Sequence, residues 1–245
     1  GLESGWQGMQ QGMGLHLFDI AGLAHDNARL GPAQELIAGE SHLCWFLLYS
    51  GLSSQLRDQR VHDLMLGESQ YGKSFVQRCI AENLFRSILI SVSTMSPKAV
   101  FYKAKAEKNS RVLDKKLLLA DEVGDLSEDT RAILKQMSSN GQRQMTNMTV
   151  DDRKQYQEQH LEGMPVFWTN SKELFKDIGG QFVNRFFKTG IDESVEQSMR
   201  VDRFQKKDMS FADLQYGASS VPMARAIVEK IMEQGDFIVL NLFAD

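Results

Sequence analysis

Residues 67–74 read Gly-Glu-Ser-Gln-Tyr-Gly-Lys-Ser, a full match to G-x-x-x-x-G-K-[S/T]. The match restricts the fold because such a loop works only between a strand and the helix that follows it. Val61-His62-Asp63-Leu64-Met65-Leu66 before it reads as a short strand, and a helix is expected from Lys73 to about Leu84. Gly67 and Gly72 let the backbone curl and turn its N–H groups toward an anion. The helix adds its positive N-terminal end. The stretch Gly67, Glu68, Ser69, Gln70, Tyr71, Gly72, Lys73, Ser74 and Phe75 is therefore the expected phosphate cradle. In it Lys73 reaches the β- and γ-phosphates and the Ser74 hydroxyl binds Mg²⁺. The alternative is a chance Gly-rich turn.

Three later segments supply what such a loop needs. Leu117-Leu118-Leu119-Ala120 is an apolar strand that runs into Asp121 and Glu122. Desolvating a carboxylate is costly, so a buried strand that finishes on two acids points to a cation or to chemistry. Asp121 suits the metal's water shell, and Glu122 suits the base that polarises an attacking water. The interval from Lys73 to Asp121 leaves room for two further elements, as a sheet with a strand inserted between the two motifs requires. Val166-Phe167-Trp168-Thr169 is a second apolar strand, ending in Asn170, whose amide can hold the water or the γ-phosphate. Asn170 is equally placed to cap a helix beginning near Ser171. Arg185 follows, either to neutralise transition-state charge or to sit in a surface ion pair, with Arg200 and Arg203 as rivals.

Strands alternating with helices imply a parallel sheet built by right-handed crossovers, with ligands at the carboxyl ends of the strands. A short helix is expected near 15–23 and a helix over 33–50. Strands are expected at 87–93, 117–121 and 165–170, and a last core strand at 185–191. Helices are expected at 127–138, 171–184 and 221–233, the first capped by Ser127 and the last with Pro222 in its first turn. Residues 99–116 are basic and unassigned, 139–163 a hairpin or loop excursion, 192–210 charged and mobile-looking, and 236–243 a closing strand or apolar tail.

The chain has 245 residues, 42% hydrophobic and 24% charged, enough to bury a core without staples. A net charge of −4 argues against broad coating of duplex nucleic acid but allows small loops that touch a single strand. The two cysteines have no metal-ligand spacing and read as reduced, which suits the cytoplasm. No apolar run reaches membrane-helix length and no signal peptide is visible. A start at Gly1 suggests a fragment of something larger. The five histidines are scattered without partner spacing.

The series Gly67–Ser74, Asp121-Glu122, Asn170 and Arg185 resembles the AAA+ ATPases over about residues 60–190. Within them it is most similar to the helicase branch, the superfamily 3 and minichromosome-maintenance helicases. Helices precede the loop, Ser96-Pro97-Lys98-Ala99-Val100 resembles a segment of the latter family, and the 139–163 excursion falls where those helicases carry a pore hairpin. The resemblance implies an α/β AAA+ P-loop core with a parallel central sheet flanked by helices. An N-terminal helical extension at 1–58, a core at 59–200 and a C-terminal helix and strand at 201–245, in the place of a partial lid, complete the expected organisation. It implies an ATP-hydrolysing DNA helicase or translocase, a homohexamer with Mg²⁺-ATP between subunits and single-stranded DNA in a channel, serving a virus or mobile element in the cytoplasm or at the nucleoid. Catalytic roles fall to Glu122, Lys73, Asn170 and Arg185, metal binding to Ser74 and Asp121, and strand contacts to Arg143, Arg153 and Lys154. A solvated loop is the competing reading of those three. The family's lid bundle is not evident after residue 200, although Arg225 could be a second sensor arginine. Two other functions fit the same motifs: a remodeller, loader or packaging ATPase acting on a protein partner, and a nucleotide-gated binding module.

Overall fold

The computed structural model describes residues 37–56, 60–68, 71–93, 96, 98–122, 127–139, 143–150, 156–172, 183–208 and 220–233. Five strands form one parallel sheet: β1 (His62–Leu66), β2 (Leu89–Val92), β3 (Leu117–Glu122), β6 (Val166–Ser171) and β7 (Phe186–Gly190), in the order β2-β3-β6-β1-β7. Both faces of such a sheet must be covered, so its central strands are rich in apolar residues and alternate ones feed two cores.

On one face Met65, Leu117, Leu119, Val166 and Trp168 pack against three helices. These are α1 (Ser41–Leu52), α2 (Lys73–Leu84) and α6 (Ser220–Glu233). On the other face Leu64, Leu118, Ala120 and Phe167 meet α3 (Ala99–Glu107), α4 (Glu128–Met137) and a hairpin. The hairpin joins β4 (Gln144–Val150) to β5 (Tyr156–Glu162) in antiparallel register. Its Met145 and Leu161 sit in the same core as Val100, Phe101 and Ala104 of α3. The hairpin base is locked at Gly163, where φ is +73° and a Cβ would lie 2.2 Å from Asp114 Oδ1. Only glycine accepts both conditions.

Several elements depart from the sequence-based expectation. The first described helix begins at Ser41, not at 33, and a short 3₁₀ turn (Ser53–Gln55) extends it. Its Leu43, Leu47, Leu48 and Leu52 share a core with Val76 and Ile80 of α2 and with Phe85 just after it, and Trp168 Nε1 donates to Ser50 Oγ at 2.8 Å. Residues 99–107, left unassigned, form α3, because Val100, Phe101 and Ala104 fall on one buried face among lysines that stay in water. Residues 195–208, expected to be mobile, form α5 (Val195–Asp208), so the boundary drawn at 200 falls inside a helix. Ser194 starts it by accepting from Gln197 N at 3.1 Å. The segment 139–163 does contain a hairpin. The expected helix at 15–23 and strand at 236–243, and most of 171–184, lie outside the described residues. No helix among the described residues is long and apolar enough to cross a membrane.

Candidate nucleotide site

The glycine-rich loop stands at the carboxyl end of β1, between that strand and α2. Gly72 takes the left-handed conformation, φ +89°, at the N-cap of α2, and Lys73 is the first helical residue. No acidic side chain occupies the first turn of α2, so the positive end of the helix is not offset by the helix's own residues. Ser69 and Gln70 lie outside the described residues. Tyr71 and Phe75 are exposed beside the turn.

Lys73 is buried, and its ammonium donates to the carbonyls of Gly67 and Glu68, the latter at 2.5 Å. Ser74 is exposed, and its hydroxyl accepts from Asn170 Nδ2 at 3.0 Å. That contact arises from strand order. β6 lies between β1 and β3, so Asn170 is in register with Met65 on one side and Glu122 on the other. The pairing of β3 with β6 slips by one residue between Leu119 and Glu122. β3 ends at Glu122, on the same edge of the sheet as the loop.

Beneath the loop lies a polar layer that the motifs did not name. Asp63, fully buried on β1, accepts from Gln77 Nε2 of α2 at 2.7 Å and from Thr189 Oγ1 of β7 at 2.6 Å. Gln77 Nε2 also donates to the Thr169 carbonyl at 3.1 Å. Burial pushes the Asp63 carboxyl up to about 6, against the pull of the Thr189 and Gln77 hydrogen bonds. Its neighbour His62 is pushed down to about 3, by burial first and then by the Arg60 charge. His62 Nδ1 accepts from Phe167 N at 3.1 Å, and its ring packs between Phe167 and Phe186. The signal for this layer was present in the sequence as an acid inside an apolar strand. Its partners were not, because they come from three other elements.

The arginines fall elsewhere. Arg185 is half-buried and donates to the Lys135 carbonyl and the Ser139 hydroxyl at the C-terminal end of α4. It precedes β7 and so stands at the amino end of the sheet, away from Ser74. Arg225 donates through Nε to the Asn83 carbonyl at 2.6 Å, at the far end of α2 from the loop. Carbonyls at helix C-termini have no partner within the helix and attract such donors. Arg200 and Arg203 are exposed on α5. Arg143 sits at the hairpin base, where with Arg60, Arg111, Lys115, Asp114 and Glu162 it lines a cleft of about 600 Å³. Arg153 and Lys154 lie outside the described residues.

No curated protein sequence matches the chain. A family model described as the MTBMA_p00010 P-loop domain matches residues 34–234. The matched stretch contains every described strand, the loop and α1 through α6. By that match the chain belongs to the MTBMA_p00010 P-loop domain family, a nucleotide-binding P-loop fold.

Proposed function

We infer that the chain hydrolyses ATP and uses the cycle to move along DNA, as a hexameric AAA+ helicase or translocase in the replication of a virus or mobile element, in the cytoplasm or at the nucleoid. The observation that carries this reading is the Asn170–Ser74 hydrogen bond. It joins the phosphate loop to the inserted strand β6, whose other neighbour is the acid-bearing β3.

In this mechanism the loop amides and Lys73 hold the β- and γ-phosphates, and Lys73 exchanges the Gly67 and Glu68 carbonyls for phosphate oxygens. The Ser74 hydroxyl and the Asp121 carboxylate are hard oxygen donors of the kind Mg²⁺ takes. They would hold the ion, which neutralises charge on the phosphate oxygens when bound. Glu122 takes the proton of the water that attacks the γ-phosphorus as the bond to the bridging oxygen breaks. Asn170, held at Ser74, orients that water. Arg185 acts on a neighbouring subunit's γ-phosphate, and Arg143, Arg153 and Lys154 contact the strand.

A protein-remodelling role is the second reading. It is favoured by the exposed hairpin residues, Met148, Val150 and Tyr156, which are apolar and not basic. Steady-state ATPase with and without single-stranded DNA separates the two. The helicase reading expects stimulation by DNA, and its absence would favour a protein partner. Glu122→Gln is expected to lower kcat by about 100-fold or more while ATP remains bound, as read by retention of radiolabelled nucleotide. A variant that keeps wild-type turnover would remove Glu122 from the mechanism.

A further inference from the structure

Glu193 belongs to no loop motif. It lies on the connection between β7 and α5. Its Oε1 accepts from the backbone N–H of Glu68 at 2.9 Å, across 125 residues of chain. A Cβ on Gly67, whose φ is +145°, would come within 2.7 Å of the same oxygen and 3.6 Å of Lys73 Cδ. The Glu193 carboxylate and the Lys73 ammonium thus converge on one pair of loop residues. The ammonium takes their carbonyls and the carboxylate takes an N–H. Loops of this kind attract phosphate through such N–H groups and the helix end. A protein carboxylate already on one of them competes with a triphosphate and repels it.

The same connection is tied to the segment before α1. Asp192 N donates to Glu40 Oε1 at 3.1 Å, and Gln197 Nε2 donates to the Ala38 carbonyl at 2.5 Å. Glu40 and Gln197 are both buried. The backbone that carries Glu193 is thus anchored to that segment on both sides.

The geometry points to Glu193 as the residue that sets nucleotide affinity at this loop: its carboxylate holds the Glu68 N–H, opposes the incoming triphosphate and gives way to it, loading the Asp192–Glu40 contact. This rests on the nucleotide reading above. The test is titration of the full chain with a fluorescent ATP analogue and Mg²⁺, comparing wild type, Lys73→Ala, Glu193→Gln and Glu193→Ala. Glu193→Gln keeps an acceptor oxygen and removes only the charge. It is expected to bind about threefold more tightly than wild type, the gap narrowing at high salt. Glu193→Ala is expected to bind at least as tightly as Glu193→Gln. Nucleotide is expected to speed hydrogen exchange at the Asp192 amide in wild type and not in Glu193→Ala. Unchanged binding by Glu193→Gln, or weaker binding by Glu193→Ala, would make Glu193 a mere support and overturn the proposal. Nucleotide binding by wild type that is lost in Lys73→Ala would leave the nucleotide reading standing in that case. No binding by wild type at all would overturn both.

Discussion

His62 and Asp63 are adjacent on β1, and burial drives both toward their neutral forms. Their effects on stability have opposite signs. The unfolded chain protonates His62 below its ordinary 6.5, whereas the folded chain resists until about 3. Stability from that residue therefore rises with pH across the window between them. Asp63 is raised from 3.8 to about 6, so the folded chain keeps a proton that the unfolded chain has lost. Its contribution falls with pH over that window. From about pH 4 to 6 the two slopes offset each other, each close to one proton. Asp63→Asn removes the falling one. Its stability should climb with pH more steeply than that of wild type, by roughly 1.4 kcal/mol per pH unit in this range. Urea midpoints at pH 4.5 and 6 measure the difference, and parallel curves would mean that Asp63 is ionised in the fold.

Individual helices are held by different means, and a single sequence shows some better than others. The start of α4 is local chemistry. Ser127 Oγ accepts from Thr130 N at 3.2 Å, and Glu128 and Asp129 occupy the first turn. Ser127→Ala should cost about 1 kcal/mol, read as a lower denaturation midpoint without a change in cooperativity; a loss below a few tenths would assign the helix start to packing. Its end is tertiary, with Arg185 on the Lys135 carbonyl. α1 lacks a side-chain cap and is held by burial of Leu43, Leu47 and Leu48. Its start at Ser41 lies eight residues after the expected position 33, because apolar spacing alone does not mark where a helix begins.

For the whole molecule, sheet polarity separates the two ends of the proposed mechanism. Gly190 pairs with Leu66 next to the loop, and Arg185 lies before the opposite end of β7. At ~3.3 Å per residue the backbone of Arg185 is roughly 15 Å from the level of the loop, beyond the reach of its side chain. If it acts in catalysis it must serve another copy. Arg185→Ala and Lys73→Ala are each expected to be inactive alone and to regain ATPase activity when mixed, since one supplies the loop and the other the arginine. Mixtures as inactive as their components, with both variants folded, would leave Arg185 as a cap on α4 and nothing more.

The parts legible from the chain alone were those set by neighbours in sequence. The G-x-x-x-x-G-K-S spacing, the apolar runs ending in Asp121-Glu122 and Asn170, and the Ser127 cap all express short-range geometry, which spacing records. Folding in three dimensions decided which ends meet. Crossovers put β6 between β1 and β3, and that order alone brings Asn170 to Ser74. Packing of α2 over β1 set Gln77 on Asp63, and the turn after β7 laid Glu193 on Glu68. Such contacts join residues far apart in the chain, where no periodicity links the partners. They exist only because burying two faces of one sheet leaves each side chain a single neighbourhood.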